Sequence, residues 1–133
     1  MADQTETPLN GYIDHTLLRP DATARDIEEL CTEAVEHQLF AVCVSGCWVQ
    51  HAWNHLGDSD VSIATVVGFP SGASDPDAKR YETEVAVDNG AHEIDMVMNL
   101  GKFIDGDHKA VSREIRDVID AADDRRVKVI LSL

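Results

Sequence analysis

The sequence predicts an α/β fold in which parallel strands alternate with helices, and three observations carry that expectation. Apolar, β-branched runs recur along the chain, as at residues 40–44 (FAVCV) and 61–67 (VSIATVV). Near-continuous runs of this kind suit strands covered on both faces. Between them, Ile27, Leu30, Cys31, Ala34 and Val35 stand at helical spacing, the pattern of a helix with one buried stripe. Turn residues separate the two kinds of segment, and no linker or repeat divides them. One domain is therefore expected over residues 1–133, with a polar leader at 1–11.

Taken in order, residues 12–18 (YIDHTLL) form the first expected strand, stopped by Arg19-Pro20 because a proline cannot donate to a ladder. Asp21 or Thr23 caps a helix to about His37, since a short polar side chain can accept from the free N–H groups of the first turn. The FAVCV strand follows, and Ser45-Gly46 turns the chain into a second helix through Trp48, Val49, Ala52, Trp53 and Leu56. After VSIATVV comes the loop Gly68-Phe69-Pro70-Ser71-Gly72, then a helix from about Asp75 to Asn89 with Gly90 at its C′ position. Residues 93–98 (EIDMVM) are the fourth strand, 108–122 a fourth helix and 127–131 a fifth strand.

Strand–helix units joined by short loops build a parallel sheet, doubly wound or curled into a barrel. A nucleotide-binding doubly wound sheet wants a glycine-rich turn after its first strand, where this chain has Arg19-Pro20-Asp21, and neither GxGxxG nor GxxxxGK[ST] occurs. The barrel is the better expectation. An eight-unit barrel takes about 250 residues, so 133 residues supply about the first five strands and four helices. Either the chain is part of a longer barrel, or a homo-oligomer covers the open edges, or the sheet is open.

Composition excludes several functions. Apolar residues make up 44% of the chain, enough for a core. Asp and Glu number 25 against 11 Lys and Arg, a net charge of −14. A nucleic-acid partner needs a basic face to release counterions, and an anionic membrane is disfavoured in the same way. The acids are spread along the chain and only four of the bases are lysines, a surface suited to a salty, halophile-like interior. The start MADQTETP has neither the basic nor the apolar part of a secretory signal. No run approaches the about 18 apolar residues of a membrane span. The odd set Cys31, Cys43 and Cys47 fits free thiols in a reducing cytoplasm.

Polar groups inside strands mark the chemistry, because burying them needs a reason. Asp14 and Thr16 share one face of the first strand, Glu93 and Asp95 one face of the fourth, and Lys128 and Ile130 one face of the fifth. If Asp95 and Lys128 both face the interior of neighbouring strands, they form a carboxylate–amine pair suited to proton transfer beside a carbonyl carbon, or else a structural ion pair. Lys128 could also attack a carbonyl if its amine were partly neutral. Lys79 and Lys109 fall on helices and Lys102 in a loop, where solvated charges are expected. His51 and His55 are four apart, but Ala52 between them breaks HExxH, so no metal is expected. Cys43 is expected to be a small buried residue. Cys47, near a helix start, could be acidified there.

Several stretches resemble one enzyme family. They are IDHTLLRP at 13–20 with Ala22-Thr23, AVCV at 41–44, VGFP at 67–70 with Gly72-Ala73, Gly90-Ala91 with EIDMVMN at 93–99, and VKVI at 127–130. In order and spacing they are similar to the deoxyribose-phosphate aldolase family. The resemblance implies an (β/α)8 TIM barrel and a class I aldolase that works without metal or other cofactor. It implies a small phosphorylated sugar or aldehyde as substrate: 2-deoxy-D-ribose 5-phosphate, cleaved reversibly to D-glyceraldehyde 3-phosphate and acetaldehyde through a lysine imine. On matching positions, Asp95 resembles the proton-transfer aspartate, and Asp14 and Thr16 resemble strand-one pocket residues. Lys128 resembles the strand-five lysine that stands near the centre without forming the imine.

The family carries its imine lysine on strand six, a second lysine on strand seven, and its phosphate site in the loops after strands seven and eight. The 133 residues are expected to hold none of these and to correspond to the amino-terminal part of the barrel. The family pattern is lost at Leu131-Ser132-Leu133. The chain alone is expected to be inactive. The alternative expectation is a non-catalytic half-barrel that self-associates or complements a separate carboxyl-terminal half.

Overall fold

A computed structural model describes residues 8–131. Residues 1–7 of the expected 1–11 leader and the terminal pair Ser132-Leu133 lie outside the described residues. Five parallel strands run β1 (Asp14–Leu17), β2 (Ala41–Val44), β3 (Ser62–Val67), β4 (Glu93–Val97) and β5 (Arg126–Ile130), in the spatial order β1-β2-β3-β4-β5. The helices are α1 (Ala24–Glu36), α2 (Val49–Leu56), α3 (Pro76–Asp88), α4 (Leu100–Ile104) and α5 (His108–Ala122). Sequential strands that pair side by side in parallel, with helices on one face, form part of a (β/α)8 barrel.

Local signals account for the element starts. Thr23, not Asp21, caps α1: its hydroxyl accepts from the Asp26 N–H, and the Asp26 carboxylate accepts from the Thr23 N–H in return, a reciprocal capping box. Asp75 caps α3, where Pro76 occupies the first turn, and Asp107 caps α5 through the Ala110 N–H. Gly90 follows α3 at a φ of +113°, in the conformation expected of a C′ glycine.

The two faces of the sheet differ. On the outer face Val42, Val44, Ile63, Val67, Ile94 and Met96 pack in the main core with the helix residues Ile27, Leu30, Cys31, Ala34, Ala52 and Val118. The inner face carries a smaller cluster, Cys43, Ala64 and Val66, joined by Leu18 and Ile130. The sheet curls until Lys128 of β5 reaches Asp14 of β1, which makes this inner face the concave side of a trough.

Three expectations are corrected. Residues 9–12 form a 3-10 turn, closed by the Gly11 N–H to the Pro8 carbonyl and the Ile13 N–H to the Asn10 carbonyl, so β1 starts only at Asp14. A fifth helix, α4, occupies the expected loop around Lys102, started by the Asn99 side chain accepting from the Lys102 N–H. Lys79 is not a solvated charge on an outer helix. It is fully buried and ion-paired with Glu114 of α5, because α5 packs over the face of α3 that bears it. A smaller difference is Val35, half-exposed at the edge of the α1 stripe.

Candidate active site

The strand-borne charges meet on the inner face. Alternation puts Glu93 and Asp95 on the same side of β4, and the β4–β5 register sets Asp95 beside Lys128 and Glu93 beside Arg126. The sheet curls so far that Lys128, on one edge strand, reaches Asp14 on the other. The Lys128 Nζ lies 3.2 Å from Glu93 Oε2, 3.5 Å from Asp14 Oδ2 and 3.8 Å from Asp95 Oδ2. One ammonium therefore serves three carboxylates, and Arg126 Nε adds a contact to Glu93 Oε1 at 3.5 Å.

Burial is uneven across this group. The side chains of Glu93 and Asp95 are 6% and 9% exposed, whereas that of Lys128 is 56% exposed. Asp95 Oδ1 is buried without a hydrogen-bond partner, and Glu93 Oε2 faces the ammonium without a well-directed bond. Burial, then hydrogen bonding and repulsion from Glu93, push the Asp95 carboxyl up to about 7, despite the opposing pull of Lys128. Burial works against the charged form of Lys128, but the surrounding acids outweigh it and hold the amine above its ordinary range. The result is a carboxyl poised to gain or lose a proton near neutrality, beside a lysine held as a cation.

Of the four residues singled out from the sequence, three converge: Asp14, Asp95 and Lys128. Thr16 stays exposed on the same strand face, and its hydroxyl donates to the Asp14 carbonyl at 3.4 Å. Glu93 is the member that the sequence reading left out of the site. Its signal was present in the two-residue spacing to Asp95, which forces both onto one face. The oxygens of Asp14, Glu93 and Asp95 lie within 4.8 Å of one another, a spacing that a cation could bridge, but the Lys128 ammonium already sits among them.

The thiols and imidazoles divide by environment. Cys43 lines the trough, and burial followed by the Asp95 and Asp14 charges pushes its thiol up to about 12. Cys31 is pushed up to about 11 by burial, and Cys47 is exposed. His51 pairs with Glu28 at 3.3 Å and His55 with the Thr32 hydroxyl at 3.2 Å, which staples α2 to α1.

A family model described as "DeoC/LacD family aldolase" matches residues 10–133. The chain belongs to the DeoC/LacD aldolase family. Among similar members, the deoxyribose-phosphate aldolase of Streptococcus uberis is 48% identical over 123 residues, covering 92% of this chain and 56% of that protein. That of Clostridium botulinum strain Okra is 47% identical, with 92% and 58% covered. The chain thus spans a little over half the length of these aldolases. Among solved structures, the aldolase QR15 superposes with a TM-score of 0.89 at 31% identity, covering 93% of this chain and 55% of that one. The tetrameric deoxyribose phosphate aldolase of Aeropyrum pernix superposes with a TM-score of 0.76 at 28% identity, covering 92% and 52%. The DeoC/LacD chain described here therefore shares the barrel architecture of these aldolases over its five strands. No helix among its described residues is long and apolar enough to cross a membrane.

Proposed function

We propose that this chain carries the strand-one-to-five portion of a deoxyribose-phosphate aldolase site, and that it holds the proton-transfer group but no imine-forming lysine. The observation that carries this reading is the state of Lys128. A nucleophilic amine must be partly neutral, whereas three carboxylates around Lys128 favour its cation. The other lysines are no better placed: Lys79 is buried beneath the loop after β3, and Lys102 and Lys109 are exposed on α4 and α5.

In this reading the substrate is 2-deoxy-D-ribose 5-phosphate, as in the relatives' name. A lysine amine from outside the described strands condenses with the sugar aldehyde, losing water to give a protonated imine. Asp95 removes the proton of the hydroxyl next to the bond that breaks. The electron pair of that bond moves toward the imine, and the hydroxyl carbon leaves as the aldehyde of glyceraldehyde 3-phosphate. The enamine left on the lysine takes up a proton at carbon, and water then hydrolyses the imine to acetaldehyde and the free amine. Lys128 stabilises the carboxylate form of Asp95 when the proton departs, and Glu93 limits that stabilisation so that the proton can return. Asp14 and Thr16 face the same trough and bound the space for the small carbonyl fragment. No metal or organic cofactor is needed for these steps. The acidic surface, the cytoplasmic setting and the absence of a nucleic-acid or membrane partner belong to the same proposal.

A second reading is favoured by the open edges. Strands β1 and β5 each pair on one side only among the described residues, so the trough is a surface that a complementary half-barrel or a second copy of this chain would close.

The test is borohydride reduction of the purified chain in the presence of deoxyribose 5-phosphate, followed by intact mass, together with a cleavage assay. Neither a trapped adduct nor turnover is expected from the chain alone. Turnover is expected when a polypeptide bearing the remaining strands of a relative is added. A reduced adduct on Lys128, or robust cleavage by the chain alone, would overturn the assignment of its role.

A further inference from the structure

Among the described residues, Lys79 and its partner Glu114 are the buried charges that the proposed chemistry does not use. The Lys79 ammonium donates to the Gly72 carbonyl at 2.6 Å and to the Val97 carbonyl at 2.9 Å, and it pairs with Glu114 of α5. Those acceptors belong to three different parts of the fold: the loop after β3, the last residue of β4, and the helix before β5. A buried ammonium with three oxygen acceptors is fully satisfied, whereas the same group without them would be costly to bury.

The loop is built to accept this clamp. Gly68 and Gly72 stand at φ of +68° and +72°, where side chains are strained. A Cβ on Gly68 would come within 2.7 Å of Lys79 Cε, and one on Gly72 would run into the Met98 carbonyl and the Val97 side chain. The loop ends close on themselves through the Gly72 N–H to the Gly68 carbonyl at 2.7 Å, and Glu82 of α3 accepts from the Gly68 N–H at 2.9 Å. Helix α3 thus grips both ends of the loop, at Gly68 through Glu82 and at Gly72 through Lys79.

Val97 is two residues from Asp95 on the same face of β4, and the next residue, Met98, donates to the Ile130 carbonyl of β5 at 3.0 Å. Holding the end of β4 therefore fixes the strand that carries Asp95 against the strand that carries Lys128. We infer that Lys79, locked by Glu114, is a positioning residue that ties the 68–72 loop to the carboxyl end of β4 and thereby holds Asp95 in its water-poor place at the mouth of the trough. This inference rests on the proposed site only in taking Asp95 as the group worth positioning.

The test uses the 133-residue chain without substrate, so an inactive site does not affect it. Two variants are compared with the parent, Lys79→Met and the double variant Lys79→Met/Glu114→Leu. Replacing both members of a buried pair by apolar side chains of similar volume commonly restores stability, while the Gly72 and Val97 carbonyls still lack their donor. Three quantities are read: thermal midpoint, amide exchange at Gly72 and Met98, and the Asp95 carboxyl titration by carbon NMR. In the parent, the Gly72 amide should exchange within about tenfold of the β4 core amides. In the double variant the thermal midpoint should recover toward the parent, while Gly72 exchanges at least about tenfold faster relative to those core amides. Asp95, which faces Glu93, Lys128 and Asp14, should then titrate at a pH lower by about one as water enters.

A double variant with parental loop exchange and parental Asp95 titration would overturn the inference and reduce Lys79 to a core filler. If neither variant folds, the parent decides: a Gly72 amide exchanging far faster than the β4 core would show that no clamp exists, and protection near the core level would uphold it.

Discussion

Replacing Asp95 by asparagine should make the protein more stable at alkaline pH and remove part of its pH dependence. The carboxyl titrates at about 7 in the folded chain against 3.8 for an ordinary aspartate, and each tenfold gain in proton affinity is worth about 1.4 kcal/mol. The difference between folded and unfolded chain therefore corresponds to on the order of 4 kcal/mol. The sign follows from proton binding. Between about pH 4 and pH 7 the folded chain retains a proton that the unfolded chain has lost, so stability falls as pH rises through that window and is level above it. Asparagine has nearly the same shape and cannot ionise, so Asp95→Asn should lack this slope. Urea unfolding midpoints of parent and variant, measured at several pH values from about 4 to about 8, give the difference directly. Contributions from the other titrating groups largely cancel in it. The two proteins should be of similar stability near pH 4 and diverge in favour of the variant toward pH 8. Parallel profiles, or a variant less stable at pH 8, would refute the claim that burial and Glu93 dominate over Lys128 at this position.

Two further outcomes are expected. Thr23→Ala should cost about 1 kcal/mol in urea unfolding, because it removes the hydroxyl that accepts from Asp26 and leaves the reciprocal bond unsupported; an unchanged midpoint would show the cap to be without weight. In the folded protein a thiol reagent near neutral pH should add one equivalent at Cys47, with Cys31 and Cys43 reacting only on unfolding, since both are buried and held largely as thiols. Peptide mass mapping of the labelled protein checks it, and early labelling of Cys43 would mean that the trough opens to solvent.

Much of the architecture was legible because its causes are local. The β-branched runs, the Thr23 cap, the Asp75-Pro76 start and Gly90 each act within one turn or strand, and every expected strand and helix is present within about two residues of its expected bounds. The short helix α4 escaped because five residues are too few for a periodic signal. At the site, alternation correctly placed Asp14, Asp95 and Lys128 on strand faces. The same rule, followed through at Glu93, would have added the group that raises the Asp95 pKa.

By itself the sequence determined which segments are strands and helices, their order, the faces their polar residues occupy, and a resemblance that the family match bears out at the level of the DeoC/LacD aldolases. Only the tertiary structure decided which charges meet. Lys128 and Asp14 are 114 residues apart, and Lys79 and Glu114 are 35 apart. No periodicity connects such pairs, because the distance between them is set by the curl of the sheet and the packing of α5 on α3. A lysine on a helix reads as a solvated charge until a carboxylate from another helix is brought over it. The protonation of a strand aspartate is fixed by the water it has lost, and that loss exists only once the sheet has curled around it.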